Sequence, residues 1–287
     1  MGIRASTTRV RSILTRTSGY LSDVCSHSLQ PYRGCSFGNS LCGVACYVQH
    51  NALLTRGEAW GSFVEARINA AEIYHEQHAR EARWARRERG AFEIFFSSST
   101  DPFLPHEATY GVSGQLLDAM LAEPPDTLIV QTHGDGVLRE RERLAALAGR
   151  CSLRVQISIE SDLDAMPGLP PPSCNVDRRF RAAEILHGDG VGVVITVSPL
   201  LPIEDPKRFF ERIGRVADAC VIDHYIGGDG SKGGARTRRT GLPAAMEALL
   251  PGSSELAYRE EIVSIARAAM PGRVGVSRAG FAGRYEA

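Results

Sequence analysis

Three cysteines fall close together in this chain, at positions 35, 42 and 46. Thiolates are soft ligands, and three of them on one loop can hold three corners of an iron–sulfur cubane. The fourth iron then has no protein ligand and stays open to a substrate. Glycines at positions 34, 38 and 43 would let the backbone fold tightly around such a bulky group. The pattern predicts a [4Fe–4S] cluster at Cys35, Cys42 and Cys46.

The same loop also fits a structural zinc site. His50 follows Cys46 by four residues, so it would complete a tetrahedral Cys3His set with the three cysteines. Zinc sites usually begin with a tight Cys-x2-Cys pair, which this loop lacks. The spacing therefore slightly favours the cluster. A zinc-stabilised α/β binding protein without radical chemistry remains the alternative.

The rest of the chain alternates short apolar runs with helical patterns, which predicts a parallel sheet with right-handed crossovers. The six predicted strands are Val24–Leu29, Ala91–Ser98, Thr127–Thr132, Leu153–Ile159, Val191–Val197 and Ala219–His224. The predicted helical regions are 59–89, 107–121, 137–147, 176–186, 206–216, 242–250 and 255–269. A partial (β/α)6 parallel barrel is the simplest closure, and a flat doubly wound sheet is the alternative. The cysteine loop follows the first strand, at the end where parallel barrels carry their chemistry.

We expect three segments along the chain. Residues 1–21 form a flexible N-terminal segment, and residues 22–227 form the core barrel. Residues 228–287 form a largely helical C-terminal extension that covers one end of the barrel.

Composition limits the classes of partner. The chain of 287 residues has 33 basic and 33 acidic side chains, so no global attraction to nucleic acid or membrane is expected. No apolar stretch approaches the roughly 18 residues of a membrane span. The odd total of seven cysteines does not suit a secreted disulfide framework and favours a reducing cytoplasm. Two basic runs are either solvated faces or polyanion sites: Arg80, Arg83, Arg86, Arg87 and Arg89, and Arg236, Arg238 and Arg239.

Several motifs occur in the order found in one enzyme family. The stretch from Gln30 to Tyr47 resembles the N-P-Y-x-G-C … C-x-x-C-Y loop of radical SAM enzymes related to spore photoproduct lyase. Ser99–Pro105 resembles that family's T-D-P-Y-Q-P turn, and Val197–Pro202 resembles its V-x-P-I-I-P strand end. Gly168–Pro172 with Arg178 is similar to its E-P-x-x-P … R stretch. The similarity runs from about residue 22 to residue 227.

The cysteine spacing departs from the family pattern. The family has Cys-x3-Cys-x2-Cys, whereas this chain has Cys-x6-Cys-x3-Cys. The x3 spacing puts Cys42 and Cys46 on one face of a helical turn, so convergence of the three thiolates remains feasible.

The resemblance implies that S-adenosylmethionine binds the open iron and that its reductive cleavage yields a 5′-deoxyadenosyl radical. The candidate residues for the methionine amino group are Ser98, Ser99, Thr100 and Asp101. Ser158 and Glu160 would accept the ribose hydroxyls, as carboxylates do in dinucleotide-binding folds. The alternatives are a helix-capping polar loop at 97–100 and an exposed strand end at Glu160.

Further candidates lie at other strand ends. By the resemblance, Ser198 flanks the adenine. Asp223, His224 and Tyr225 end the last strand and would face substrate, and His133 follows the third strand. Each histidine is equally compatible with a structural role.

The repair lyase keeps a hydrogen-donating cysteine near the end of its second strand. The corresponding residues here are Ser97, Ser98 and Ser99, and a hydroxyl cannot quench a carbon radical as a thiol does. We therefore expect a radical SAM enzyme with another reaction, on an unidentified substrate for which nucleic acid is one candidate. A flavodoxin- or ferredoxin-like protein would supply the electron. Cys151, Cys174 and Cys220 are expected to be small buried residues.

Overall fold

The computed structural model describes residues 2–286, which form eleven strands and twelve α-helices joined by loops and short 3₁₀ turns. The strands are β1 (Arg4–Thr8), β2 (Leu14–Arg16), β3 (His27–Leu29), β4 (Tyr32–Gly34), β5 (Phe63–Arg67), β6 (Glu93–Phe96), β7 (Thr127–Thr132), β8 (Ser152–Ser158), β9 (Val193–Val197), β10 (Ala219–Ile222) and β11 (Val274–Val276). The helices are α1 (Leu41–Ala45), α2 (Ala52–Thr55), α3 (Ala70–Arg89), α4 (Glu107–Tyr110), α5 (Val112–Ala122), α6 (Arg141–Ala148), α7 (Val176–Gly188), α8 (Pro206–Val216), α9 (Tyr225–Gly228), α10 (Leu242–Leu249), α11 (Leu256–Ala269) and α12 (Ser277–Phe281).

The main sheet has eight strands in the order β11-β10-β9-β8-β7-β6-β3-β2. Every neighbouring pair is parallel except β2 and β3. The six strands predicted from the sequence are β3 and β6 to β10, and the predicted parallel pairing is confirmed. Continuous apolar runs such as Val193–Val197 form the inner strands because both of their faces are buried.

The sheet is curved into a partial barrel. In a flat sheet, β3 and β10 would lie about 24 Å apart, since they are five strand spacings from each other. The hydroxyl of Tyr20, in the connection between β2 and β3, nevertheless donates to the Asp223 carboxylate, just after β10, at 3.3 Å. The Tyr20 ring also meets the Phe281 ring edge-on, with their centroids 6.3 Å apart. The flat doubly wound alternative is therefore wrong.

The alternation of side chains along the strands separates two apolar layers. Val155 and Ile157 of β8 point outward and join the main core beneath the helices, together with Leu116 of α5 and Phe180 of α7. Residues of the opposite phase line the barrel interior. Ser158 is among them, and its hydroxyl bonds to other interior groups.

Three sequence expectations need correction. The region 59–89 is not helical throughout, because Phe63–Arg67 is β5, which lies between β1 and β4 in a separate three-stranded sheet. The segment expected to be flexible, residues 1–21, contributes β1 and β2 within its described part. The C-terminal extension, expected to be largely helical, also contributes β11, which pairs with β10 as a strand of the main sheet.

No helix among residues 2–286 is both long enough and apolar enough to cross a membrane.

Candidate functional site

The three cysteines of the loop belong to consecutive local elements. Cys35 directly follows β4, Cys42 lies in α1, and Cys46 ends that helix. Cys35 is buried, the other two are half-buried, and all three are free thiols. Burial raises the pKa of Cys35 to about 12 and that of Cys46 to about 11. Burial also raises the pKa of Cys42 well above its usual value, and the proximity of Cys46 and Cys35 adds to this effect.

Glycines determine the path of the loop. A Cβ on Gly43 would lie 2.1 Å from Gly38 Cα, and a Cβ on Gly38 would lie 2.1 Å from Gly61 Cα. Gly34 has a φ of +78°, which favours glycine, and its missing side chain makes room for Phe63. The loop thus doubles back at positions where no side chain fits, as the glycine pattern predicts.

The side chains of this loop do not form a tight single-ion group. Ligands of one zinc ion all lie about 2.0–2.3 Å from it, which requires a tight group of side chains. Within residues 2–286, no three His, Cys, Asp or Glu side chains form a group that could hold one metal ion. The thiolates of a cubane bind different irons and therefore stand farther apart. The zinc alternative with His50 is not favoured.

The turn after β6 is tied to the cysteine loop. The Gln30 side-chain amide donates to Ser98 Oγ at 2.8 Å, and its oxygen accepts from the Ser99 backbone N–H at 3.4 Å. The Tyr47 hydroxyl donates to the Ser98 carbonyl at 3.5 Å. Ser97 has a φ of +77°, a strained conformation for a residue with a side chain. The serines predicted to bind cofactor thus lie beside the cysteines.

Asp101 is buried at the end of the same turn, next to the buried Thr100. Its carboxylate accepts from the Thr132 hydroxyl at 3.0 Å, the His133 backbone N–H at 2.6 Å and the Phe103 backbone N–H at 2.9 Å. Burial raises its pKa, although His133 and these donors oppose the rise. Asp101 therefore fixes the ends of β6 and β7 relative to each other.

Glu160 belongs to a charged network at the end of β8. Its Oε2 accepts from Arg179 Nη1 at 2.5 Å, and its Oε1 lies 3.7 Å from His133 Nε2. Arg179 Nη1 also donates to the Ser158 carbonyl at 2.8 Å. Burial alone would raise the pKa of Glu160, but Arg179 and His133 hold it below its ordinary value. Glu160 is therefore a fixed carboxylate and not the exposed strand end of the alternative interpretation.

Sequence reasoning named Arg178 and missed Arg179. Arg178 is largely exposed and pairs with Asp135 at 2.7 Å, whereas Arg179 is buried on α7. The helical periodicity of the sequence does indicate that Arg179 faces inward, because Arg179 lies on the same helix face as Val176 and Ala183.

The other predicted serines differ in their environments. Ser158 is buried, and its hydroxyl bonds to Thr196 Oγ1 at 3.0 Å and accepts from Gln131 Nε2 at 2.8 Å. Ser198 is half-buried after β9 and precedes Pro199 through a cis peptide bond. Ser158 thus faces the barrel interior at the end of β8.

The three residues after β10 have different roles. Asp223 accepts from the Tyr20 hydroxyl at 3.3 Å and the Ser277 hydroxyl at 2.6 Å, and burial raises its pKa to about 6. His224 is buried, caps α9 through Nδ1 at 3.1 Å, and has its pKa lowered by burial to about 4. Tyr225 is buried and donates to the Ser254 carbonyl at 2.9 Å. His224 and Tyr225 are therefore structural, whereas Asp223 faces the barrel interior.

Three further cysteines, Cys151, Cys174 and Cys220, differ in burial and position. Cys220 is fully buried and packs in the core outside the barrel. Cys174 is buried, and its Cβ would lie 3.9 Å from a Cβ added to Gly134. Cys151 is half-buried. The expectation of small buried residues is correct for Cys174 and Cys220.

No family model matches this chain, and no curated protein matches it in sequence. Among solved structures, it is similar to a mutant of spore photoproduct lyase with a dinucleoside spore photoproduct, with a TM-score of 0.61 and 13% identity over 95% of this chain and 80% of that chain. A second mutant of that lyase gives a TM-score of 0.59 at 13% identity, over 95% of this chain and 81% of that chain. At this identity the likeness establishes the fold alone. The resemblance indicated by the sequence motifs is confirmed at that level: the chain has the partial-barrel fold of spore photoproduct lyase.

Proposed function

We propose that this chain is a radical SAM enzyme that holds a [4Fe–4S] cluster through Cys35, Cys42 and Cys46. The main observation in support is the position of three free thiols on one loop beside the strand ends of a partial parallel barrel. The proximity of the other two cysteines contributes to the raised pKa of Cys42, which supports a shared ligand set. Residues 22–227 would form the catalytic barrel, with 1–21 and 228–287 as flanking segments.

S-adenosylmethionine would bind across the ends of β6, β8 and β9. Its methionine part would contact the turn at Ser98, Ser99, Thr100 and Asp101, with Ser198 beside the adenine. The ribose hydroxyls would contact Ser158 and Glu160 at the end of β8. When bound, the cluster would supply the electron that cleaves the sulfonium and releases a 5′-deoxyadenosyl radical.

The residues of this chain would do the positioning. Arg179 keeps the Glu160 carboxylate in one place, and Asp101 joins two strand ends, so little reorganisation would accompany cofactor binding. Gln30 links the cofactor turn to the cysteine loop, which would keep the two halves of the site in register. An external one-electron donor of the flavodoxin or ferredoxin type would be required.

The test is anaerobic reconstitution of the full chain with iron and sulfide, followed by reduction with dithionite in the presence of S-adenosylmethionine. We expect about four irons per chain, broad brown absorbance and formation of 5′-deoxyadenosine. A colourless protein with stoichiometric zinc would contradict the proposal.

Single cysteine variants identify the ligands. Cys42→Ala should lose the cluster, because two thiolates cannot hold a site-differentiated cubane. Cys220→Ala, which removes a buried thiol outside the barrel, is the matched control and should keep its iron. Full iron content in the Cys42→Ala protein would exclude this ligand set.

A further inference from the structure

One of the two basic runs lines a cavity on the outer surface of the barrel. Arg16 of β2 and Arg80, Arg83, Trp84 and Arg87 of α3 surround a space of about 270 Å³. The helical spacing separates the run into two groups, because residues three, four and seven apart share one face. Arg80, Arg83 and Arg87 therefore converge on this cavity.

The other two arginines of the run are occupied elsewhere. Arg86 pairs with Asp126 through Nε at 3.0 Å and Nη2 at 2.8 Å. Arg89 donates to the Ser22 carbonyl. They serve the fold, whereas the arginines of the cavity keep donors free.

Each of the four cavity arginines uses only its Nε for bonding within the chain. Arg16 Nε donates to Glu81 at 2.8 Å, and Arg80 Nε donates to the other oxygen of the same carboxylate at 2.8 Å. Arg83 Nε donates to the Ala79 carbonyl at 3.1 Å, and Arg87 Nε donates to Glu88 at 2.6 Å. Within residues 2–286, the Nη groups of these four side chains make no hydrogen bond. The guanidinium groups are thus oriented, and their double-donor ends remain available.

The floor of the cavity orients two of the four guanidinium groups, those of Arg16 and Arg80. Glu81 is only 5% exposed and also lies 3.2 Å from His27 Nε2, so its carboxylate cannot turn away from Arg16 and Arg80. Trp84 supports Arg16 from below, with the guanidinium carbon 4.0 Å from the ring centroid. Because these side chains are already held in place, they would lose less conformational entropy when a ligand binds.

The charge of the cavity is unbalanced. Three of the four guanidinium groups pair with two carboxylates, those of Glu81 and Glu88, and Arg83 has no carboxylate partner among the described residues. Like charges three and four residues apart on a helix destabilise it. A bound anion would remove this repulsion.

We infer that this cavity, lined by Arg16, Arg80, Arg83 and Arg87, is a binding site for a phosphate group. The two Nη donors of a guanidinium group can bind two oxygens of a phosphate. Several guanidinium groups around one tetrahedral phosphate can each form such paired hydrogen bonds. The phosphate would come from a free phosphate compound or from the backbone of a nucleic acid strand.

This site is separate from the proposed active site and does not rest on it. Arg16 is paired in register with His27, the first residue of β3, so the cavity lies near the amino-terminal end of that strand. The cysteine loop and the serine turn follow the carboxyl ends of β3 and β6. A ligand in the cavity would therefore bind at the opposite end of the barrel from the cluster.

The experiment measures binding of two probes to the full chain and to the double variant Arg83→Gln/Arg87→Gln. The probes are pyrophosphate, followed by calorimetry, and a fluorescent single-stranded dT12 oligonucleotide, followed by anisotropy. The matched control is Arg150→Gln, which removes an exposed arginine on another surface. All three proteins should have similar circular dichroism and melting temperatures, because the changed side chains are exposed.

We expect the double variant to bind at least one probe tenfold or more weakly, with less than a twofold change in the control. If the oligonucleotide is the affected probe, the slope of its affinity against salt should also fall by about 1.4, or 0.7 for each phosphate that an arginine no longer neutralises. An effect on pyrophosphate alone would identify a free phosphate compound as the source. Absence of binding by the unmodified chain, or equally weakened binding in the double variant and the control, would overturn the inference.

Discussion

Replacing Arg179 by methionine should strongly destabilise the barrel. The side chains of Arg179 and Glu160 are 5% and 12% exposed, and the nitrogen and oxygen that pair them are 2.5 Å apart. Methionine roughly keeps the volume but leaves the Glu160 carboxylate buried without its strong partner. Breaking a buried pair in this way costs about 3–5 kcal/mol. At about 2 °C per kcal/mol for a chain of this size, the melting temperature should fall by roughly 6–10 °C.

The loss of stability should depend on pH. In the unmodified chain, Glu160 has a folded-state pKa below its ordinary value, despite burial, because of Arg179 and His133. Such a carboxylate stabilises the fold above its unfolded-state pKa, and this contribution is lost as pH falls through the folded-state pKa. Without Arg179, burial would raise the folded-state pKa, and the charged form would oppose folding at neutral pH. The difference between variant and parent should therefore be largest near pH 8 and smaller near pH 4.5.

The assay is thermal unfolding of the metal-free chain, followed by circular dichroism at both pH values. The neighbouring Arg178→Met is the matched control, since its pair with Asp135 is largely exposed and exposed pairs contribute about 0–1 kcal/mol. The double variant Arg179→Met/Glu160→Gln should recover part of the stability. If Arg179→Met and Arg178→Met melted alike, or if the destabilisation did not change with pH, the pairing argument would be refuted.

Three other predictions concern the proposed reaction site. Glu160→Gln should weaken binding of S-adenosylmethionine to the reconstituted protein by about 1.5–3 kcal/mol, the usual value for loss of a hydrogen bond to a charged group. Equal affinity of the variant and the parent in equilibrium dialysis would exclude the ribose contact. Asp223→Asn should raise the melting temperature at pH 8 but hardly at pH 4. Burial raises the folded-state pKa of Asp223 to about 6, so its cost to stability grows as pH rises from the ordinary aspartate pKa and is complete above about 6; a pH-independent change would contradict this. The reduced enzyme should cleave S-adenosylmethionine without efficient repair of a spore-type thymine dimer, because the motif resemblance puts Ser97, Ser98 and Ser99 at the position of the lyase's thiol. Thymine release at the rate of 5′-deoxyadenosine formation, followed by chromatography, would show otherwise.

The barrel strands could be predicted because local pattern and final structure agree there. Thr127–Thr132 has the same bounds in both, since a short apolar run between two helical patterns has few alternatives to a buried strand. The small sheet could not be predicted in this way. Phe63–Arg67 becomes a strand by pairing with β1 and β4, which lie far from it in sequence. Such non-local pairing overrides a local helical pattern.

The candidate site was predictable in its residue types but not in its network. The cysteines and glycines of the loop lie within 13 residues of sequence, so their spacing alone predicts a tight loop with three thiols. The choice between Arg178 and Arg179 depends on which of two adjacent residues faces inward, and a shift of one position reverses the answer. The contact of His133 with Glu160 joins the ends of different strands, and it follows only from the register of β7 and β8.

Net charge is a poor guide to anion binding in this chain. Its 33 basic and 33 acidic side chains balance overall, which predicts no global attraction to polyanions. The balance is not local, because Arg86 is bidentate with Asp126 whereas Arg83, three residues earlier, has no carboxylate partner among the described residues. Screening limits the reach of surface charges to about 8–10 Å, so a ligand senses the nearest side chains and hardly senses the total. The pairing of each guanidinium, and not the sum of charges, decides whether a phosphate binds.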